Sequence, residues 1–207
     1  LGCATSDVTG TEVDTTTSNP SSSCVLTASL TEGPYFVDER LLRSDIRGDA
    51  TGGPPEEGLP LTLALRVVDA RDDCPPVTGA HIDIWHCNAS GIYSDEPAEG
   101  TVGRTFLRGC QLSDDGGTVR FTTIFPGWYA GRAVHIHFKI RTQASGSGYE
   151  YTSQLFVPEP LVPRVKLGQA ATVFTDAGGP GIPGKCTAMS GANCSLNVVR
   201  SFWSAVS

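Results

Sequence analysis

The sequence predicts an all-β protein, a single-domain antiparallel β-sandwich with long irregular loops and little helix. Its 207 residues include 24 glycines and 14 prolines, which interrupt many short apolar runs. No long stretch repeats apolar residues with the 3.6-residue period of an amphipathic helix. Short apolar segments separated by frequent turn residues are typical of sandwiches and barrels. A chain of this length can bury one sizeable core and is too short for two comfortable domains.

Six segments have the composition of strands. The first, 61–69, alternates apolar residues with others from Leu61 to Val67, so one of its sides should face the core. The others are 81–87, 105–112, 118–124, 133–142 and 149–157. Asp114-Asp-Gly-Gly117 predicts a hairpin turn between two of them. Polar loops are expected at 48–58, 72–79 and 94–103, and the tail after Leu161 is expected to be mostly irregular.

Seven cysteines indicate an oxidising compartment. None of them has the C-x-x-C spacing of a zinc site, which favours disulfides over metal ligation. Cys186 and Cys194 flank a short glycine-containing loop and are the best-supported pair. Pairings of Cys24 with Cys74 and of Cys87 with Cys110 are two of the many connectivities that six cysteines allow.

The N-terminus predicts a tether. Leu1-Gly2-Cys3 matches the end of a bacterial lipobox, in which Cys3 would carry a lipid and attach the protein to a membrane. Residues 1–23, rich in Ser and Thr, would then be a flexible linker, and 24–207 would form the sandwich domain. The alternative is a processing remnant with a stray cysteine. The expected location is secreted or extracytoplasmic, with lipid anchoring at the cell surface as one form of it.

The net charge of −7 argues against nucleic acid as a partner and indicates an acidic surface. The chain also lacks a run of about 18 apolar residues, the length that a membrane-spanning helix needs. These two properties direct attention to small-molecule chemistry.

His135-Ile136-His137 is the most informative motif. It lies in a run of β-branched and aromatic residues that predicts a strand, so both imidazoles should point to the same side. Two neighbouring imidazoles provide half of a metal site, because histidine is the commonest metal ligand. The alternative is a solvated histidine pair.

Tyr93 and Tyr129, in nearby loops, indicate which metal. A phenol has a pKa of about 10, so only a strongly Lewis-acidic ion converts it into a ligand. Phenolate is a hard anionic oxygen that suits Fe(III) better than Cu(I) or zinc. Two phenolates and one hydroxide balance the charge of Fe(III), and two neutral imidazoles complete five-coordination. Each tyrosine could instead be a loop aromatic that packs on the sandwich.

Longer stretches surround these residues. They are Thr31-Glu-Gly-Pro-Tyr-Phe-Val37, Asp83-Ile-Trp-His-Cys-Asn-Ala-Ser-Gly-Ile-Tyr93, Phe106-Leu-Arg-Gly109, and Phe121-Thr-Thr-Ile-Phe-Pro-Gly-Trp-Tyr-Ala-Gly-Arg-Ala-Val-His-Ile-His137. In these stretches, which span about residues 24–160, the chain resembles the intradiol ring-cleavage dioxygenases of the catechol and protocatechuate type, in their secreted single-domain branch. The resemblance implies one non-heme Fe(III) per chain, with Tyr93, Tyr129, His135 and His137 as ligands. Tyr129 would be the axial ligand that leaves when substrate binds.

The resemblance also implies the reaction: insertion of O₂ between the two hydroxyl-bearing carbons of a catechol, giving a cis,cis-muconate-type diacid. Arg132 would stabilise negative charge on the ring, and Gln154 would assist it. Pro34 and Tyr35 would wall the substrate pocket, and Trp128 would cover its mouth or stack on a phenyl ring. The alternatives are a surface arginine, a solvent-facing glutamine, and turn or core residues.

The sequence departs from the family pattern in two ways. The short spacing between Tyr129 and Arg132 predicts an open pocket that tolerates substituted catechols. The protein is also expected to lack the helical dimerisation segment of cytosolic catechol dioxygenases. The oligomeric state stays open.

Two functions from other classes are alternatives. One is a catalytically inactive extracellular β-sandwich binding module, and the other is a cupin-like oxygenase, which the lack of any histidine after His137 argues against. Of the two remaining histidines, His86 is expected to be structural and bonded to backbone, and His81 to be exposed.

Overall fold

A computed structural model describes residues 27–69, 74–142 and 148–156, together with the backbone of two strands nearer the C-terminus. Eight strands and one short 3-10 helix at Pro97–Glu99 make up the regular structure of this part of the chain. The strands are β1 Pro60–Asp69, β2 His81–Trp85, β3 Arg108–Leu112, β4 Thr118–Ile124, β5 His135–Arg141, β6 Glu150–Phe156, β7 Lys185–Ala188 and β8 Ala192–Arg200. The predicted all-β class is therefore confirmed.

The strands form two four-stranded sheets. One has the order β3-β2-β5-β6 and is antiparallel throughout, and the other has the order β4-β1-β8-β7. In the second sheet β1 pairs antiparallel with β4 and parallel with β8. Alternate residues of β1, β2, β4 and β5 meet in one buried apolar cluster. The period-2 pattern predicted from Leu61 to Val67 is the side of β1 that faces this core.

The sheet that carries the two histidines is covered on both faces. Ile136, Phe138 and Ile140 of β5 point into the core, yet the alternate residues of the same strand are buried as well. Their cover is the segment from residue 27 to residue 46. The Leu30 N–H donates to the Thr152 carbonyl of β6, and the Arg43 N–H donates to the Cys110 carbonyl of β3. The segment is therefore bonded to both edge strands of the sheet.

The tail after Leu161, predicted to be mostly irregular, contains the strands β7 and β8, and its other residues lie outside the described part of the chain. From Ala192 to Arg200 each residue of β8 is paired with a residue of β1, and this long-range pairing gives the segment its extended conformation. The sequence did carry a local signal. Cys194, Leu196 and Val198 alternate with Asn193, Ser195 and Asn197.

The turn at 114–117 exists, but it does not close a hairpin. The Gly117 N–H donates to the Asp114 carbonyl over 2.8 Å, and the flanking strands β3 and β4 belong to different sheets. Gly117 has a φ of 73°, and a Cβ there would lie 2.3 Å from the Val67 carbonyl oxygen. The glycine is therefore required by both the turn and the close approach of β1.

The predicted Cys87–Cys110 disulfide is wrong, because both are free and buried. Cys110 lies opposite Asp83, and Cys87 is four positions farther along the chain. Four positions along a strand span roughly 13 Å, whereas the Cα atoms of a disulfide lie within about 7 Å.

The described residues test the other two predicted disulfides only in part. Cys74 is disulfide-bonded; Cys24 lies outside the described residues, so the pairing of these two stays a prediction. Cys186 and Cys194 are directly opposite in the β7–β8 register, and the bond between them also stays a prediction.

The lipid on Cys3 and the 1–23 tether likewise fall outside the described residues. In the part of the chain that is described, no helix has the length and apolarity needed to cross a bilayer.

Candidate active site

His135 and His137 lie on β5 with their side chains on the same side, as the strand period predicts. Both are about 1% exposed, and their Nε2 atoms are 2.9 Å apart. The Nδ1 of His135 is 2.6 Å from the Ala133 carbonyl oxygen, which can only accept a hydrogen bond. This contact assigns the His135 proton to Nδ1 and leaves the Nε2 lone pair directed toward His137.

Tyr129 and Tyr93 complete the cluster. The Tyr129 hydroxyl is 3.3 Å from the His135 Nε2. Tyr93 is 3% exposed, and its ring centroid lies 5.8 Å from that of Tyr129 and 6.4 Å from that of His137. The Tyr93 hydroxyl is buried without a hydrogen-bond partner in the described part of the chain. A buried polar atom without a partner is costly, so the position of the Tyr93 hydroxyl next to three other donor side chains suits a common role as ligands of one ion.

The donor set fits a trivalent iron ion. Two nitrogens about 2.1 Å from one ion, at roughly a right angle, are about 3 Å apart, which agrees with the 2.9 Å between the imidazoles. Burial lowers the pKa of His137 to about 3, so its imidazole is neutral, the form that ligates metals. Burial raises the pKa of both Tyr93 and Tyr129, so phenolates form here only with a strong Lewis acid.

Arg132 and Gln154 form a pair beside the histidines. The Arg132 guanidinium donates to the Gln154 side-chain oxygen, and the Gln154 amide donates to the Thr31 carbonyl over 2.7 Å. Gln154 is 1% exposed, which contradicts the alternative of a solvent-facing glutamine. Because Gln154 is opposite His137 in the β5–β6 register, the pair holds a positive charge next to the imidazoles.

The predicted pocket residues differ in burial. Tyr35 stacks on Tyr93, with ring centroids 4.2 Å apart and planes 17° apart, so it lies in the cluster. Pro34 is exposed, and the adjacent Gly33 lies over His137, since a Cβ there would be 3.4 Å from the His137 Cε1. Trp128 is 53% exposed and therefore borders the cluster rather than closing it.

Two further residues support the cluster, and the sequence predicted no role for either. Trp85 stacks on His137, with ring centroids 4.9 Å apart and planes 11° apart. Arg108 is 4% exposed and donates to the Tyr35 carbonyl over 2.6 Å and to the Ser94 carbonyl over 2.7 Å. Arg108 lies in the matched stretch 106–109, and a buried arginine was not foreseen because its partners are distant backbone carbonyls.

The other two histidines lie outside the cluster. His86 is fully buried, with Nδ1 2.8 Å from the Cys87 carbonyl oxygen, so the predicted structural role with a backbone bond is confirmed. The prediction that His81 is exposed is wrong. His81 is 7% exposed, because the 27–46 segment and the side chains of β5 cover its face of the sheet.

Comparisons with known proteins show similarity to dioxygenases. A family model described as Dioxygenase matches residues 31–172. The chain is 26% identical over 155 residues to catechol 1,2-dioxygenase 1 of Acinetobacter lwoffii, in an alignment covering 63% of this chain and 46% of the relative. It is 26% identical over 136 residues to a chlorocatechol 1,2-dioxygenase of Pseudomonas putida, covering 53% of this chain and 46% of the relative. The chain spans about half the length of these curated relatives.

Two solved structures match over a greater share of their length. An intradiol ring-cleavage dioxygenase from Tetranychus urticae superimposes with a TM-score of 0.66 and 28% identity, covering 88% of this chain and 98% of that one. The dioxygenase domain of a dioxygenase carbohydrate-binding protein fusion from Streptomyces sp. SirexAA-E gives a TM-score of 0.60 and 28% identity, covering 86% and 100%.

Proposed function

The chain belongs to the family of intradiol ring-cleaving dioxygenases of the catechol 1,2-dioxygenase type, and we propose that it is a non-heme Fe(III) enzyme that cleaves catechols. It inserts both atoms of O₂ between the hydroxyl-bearing carbons and gives a cis,cis-muconate-type diacid. The observation that carries the proposal is the convergence of His135, His137 and Tyr129, with the unpartnered Tyr93 hydroxyl beside them.

One iron per chain would be held by Tyr93, Tyr129, His135 and His137. When bound, Fe(III) would lower the pKa of both catechol hydroxyls and make the ring reactive toward O₂. The two tyrosines differ in setting. Tyr93 is buried under Tyr35, whereas Tyr129 is half-buried beside the exposed Trp128. Tyr129 is thus the tyrosine with room to move, and its phenolate form could accept a proton from the substrate.

Arg132 supplies the fixed positive charge. A guanidinium stays protonated at any accessible pH, so it can stabilise negative charge on the catechol ring throughout the reaction. Its hydrogen bond to Gln154 fixes its direction, and Gln154 is itself tied to the Thr31 carbonyl. We therefore assign Gln154 the role of orienting Arg132. Tyr35 is assigned to the wall of the pocket that holds the catechol ring.

The substrate class is a catechol with substituents. The exposed Trp128 and Pro34 leave the border of the cluster accessible, and the spacing from Tyr129 to Arg132 leaves no long loop to close over it. We expect 4-substituted catechols to be cleaved at a higher kcat/KM than catechol. Steady-state O₂ uptake with both substrates measures this, and equal or lower values for the substituted ring contradict it.

The test of the proposed function is the visible spectrum of the iron-loaded protein, with its iron content and O₂ uptake on catechol. We expect one iron per chain, a tyrosinate-to-Fe(III) charge-transfer band, and a ring-opened diacid as product. Tyr93→Phe should weaken the band and the activity. Tyr149 is 38% exposed and lies outside the cluster, so Tyr149→Phe is the control and should leave both the band and the activity intact.

Two outcomes would contradict the proposal. A protein that stays colourless after iron is added has no iron–tyrosinate site, which favours the inactive binding module. A coloured protein that binds catechols but consumes no O₂ is a degenerate family member.

We also propose an extracytoplasmic location, tethered through residues 1–23 and a lipid on Cys3. The seven cysteines and the disulfide at Cys74 support it. Mass spectrometry of the protein from its native host should find lipid on the Cys3 peptide, and an unmodified Cys3 would contradict the anchor.

A further inference from the structure

A second cluster of ligand-type side chains lies on the same sheet as the active site. His81 and Asp83 are two residues apart on β2 and share a side, and Cys110 of β3 is directly opposite Asp83. One potential ligand atom from each of the three lies within 4.8 Å of the others. Their exposed fractions are 7%, 7% and 1%, so the cluster is buried on a rigid pair of strands.

This cluster is separate from the active site. In the β2–β5 register His137 is opposite Trp85, whereas Arg141 is opposite His81. Four residues along a strand correspond to roughly 13 Å. No side chain of the first cluster is shared with the second.

We propose that His81, Asp83 and Cys110 form a second metal site for a divalent cation of the zinc class. Imidazole, carboxylate and thiolate are the ligands that zinc takes in proteins, with water in the fourth position. A thiolate ligand disfavours magnesium and calcium. The sulfur also distinguishes this cluster from the predicted iron site, whose ligand atoms are oxygens and nitrogens. The proposal does not depend on the dioxygenase activity.

The charge balance of the cluster supports the exchange of protons for a cation. The His81 Nδ1 is 3.1 Å from the Asp83 Oδ2, so the imidazole and the carboxylate are already in contact. Ligation requires the thiolate of Cys110 and the neutral imidazole of His81, so any proton that these ligand atoms carry would leave to solvent as the ion binds. The protons that leave offset positive charge that the ion brings into this buried region.

Neighbouring charges on β5 are already paired. Arg141 donates to the Asp83 Oδ2 over 2.6 Å and to the Asp38 Oδ1 over 2.9 Å. Asp83 keeps its second oxygen for a cation, and a hydrogen bond to the other oxygen is what commonly orients a ligating carboxylate. Lys139, opposite Asp83 in the register, has its ammonium between Glu32 and Glu150.

The experiment is titration of the iron-loaded protein with Co²⁺, which replaces zinc and is coloured. We expect a thiolate-to-cobalt charge-transfer band that saturates at one cobalt per chain and disappears when Zn²⁺ is added. The predicted iron site has no sulfur ligand, so this band reports the second cluster whether or not iron is bound. Elemental analysis after dialysis against Zn²⁺ should find the matching zinc.

Cys110→Ser should abolish the band, and His81→Gln should abolish or weaken it. Cys87→Ser is the matched control, because Cys87 is the other free buried cysteine in the described residues. If Cys110→Ser fails to fold, wild-type protein still decides the question: Zn²⁺ should slow alkylation of Cys110 and leave that of Cys87 unchanged, as read by peptide mass mapping. Absence of the band in wild-type protein, its persistence in Cys110→Ser, or equal protection of both thiols overturns the proposal.

Discussion

Arg108 is the residue that connects the parts of the active site contributed by distant segments. It is 4% exposed, and its guanidinium donates to the Tyr35 carbonyl, the Ser94 hydroxyl and the Ser94 carbonyl. Ser94 follows the predicted ligand Tyr93, and Tyr35 stacks on that ligand's ring. The arginine therefore holds both the residue that follows Tyr93 and the backbone of the residue that stacks on its ring.

Arg108→Met should lower the free energy of unfolding by about 2–4 kcal/mol, because it leaves buried carbonyls unpaired. Arg108→Lys should recover part of this, since a single ammonium can serve only some of the acceptors. Urea denaturation of both variants measures the loss. Arg120→Met, at an exposed position of β4, is the control and should change stability by less than about 0.5 kcal/mol. Equal effects at both positions would contradict the role given to Arg108.

His86 contributes to the fold as a neutral imidazole. Its Nε2 is 2.7 Å from the Thr123 hydroxyl oxygen, and its Nδ1 donates to the Cys87 carbonyl. Complete burial lowers the pKa of His86 from 6.5 to about 4. The unfolded chain therefore binds this proton at a higher pH than the folded protein does.

The stability that His86 contributes should be lost as the pH falls from 6.5 toward 4. The loss has a slope of up to about 1.4 kcal/mol per pH unit. His86→Gln should be less stable than the wild type at neutral pH, with a flatter decline on acidification. Urea denaturation of both proteins at a series of pH values between these limits measures the two slopes. Identical slopes would mean that His86 titrates alike in both states.

Two turns pack tightly against each other next to Tyr129. The Gly127 N–H donates to the Asn88 carbonyl over 2.9 Å, and a Cβ at Gly127 would lie 2.3 Å from the Ala89 carbonyl oxygen. On the facing turn, Gly91 has a φ of 85°, and a Cβ there would lie 2.6 Å from the Trp128 carbonyl oxygen. The turn before Tyr93 and the segment before Tyr129 thus form a unit that sets the distance between the two phenols.

Gly127→Ala should separate the two turns, because the atom that the new methyl group meets is backbone and cannot rotate away. We expect a lower melting temperature and a weaker charge-transfer band in the iron-loaded protein. Gly48→Ala is the matched control, since its nearest neighbours would be at an ordinary 3.7 Å. A melting temperature and band unchanged in Gly127→Ala would show that the turns adjust without cost.

At the scale of the molecule, β1 is the strand on which the second sheet depends. It pairs with β4 from Pro60 to Arg66 and with β8 from Leu61 to Asp69. The partner on one side comes from the C-terminal part of the chain, so the sheet is complete only when that part is present. An unpaired β1 edge would expose a long row of backbone donors and acceptors.

Truncation after residue 184 removes β7 and β8 and should therefore give a protein that aggregates or elutes as large oligomers in size-exclusion chromatography. Removal of residues 201–207 alone leaves all eight strands in place and serves as the control. A soluble, monodisperse 1–184 protein with native stability would show that β8 is dispensable.

The sequence by itself determined the features that depend only on local backbone geometry. The period of a strand places His135 and His137 on one side and Leu61 to Val67 toward the core, wherever the strand lies in the fold. The residue types of Tyr93 and Tyr129 then indicated which metal is proposed, because the preference of phenolate for Fe(III) is a property of the side chain.

The tertiary structure decided what depends on partners distant in sequence. The 27–46 segment buries the outer face of β2. His81 is therefore buried in a cluster with Asp83 and Cys110, although the sequence predicted an exposed position. The turn at 114–117 connects two different sheets and closes no hairpin, because β3 and β4 pair with different strands. Cys87 and Cys110 are apart because the β2–β3 register places Asp83 opposite Cys110. Burial and register follow from which segments pair across the whole chain, and local composition does not contain that information.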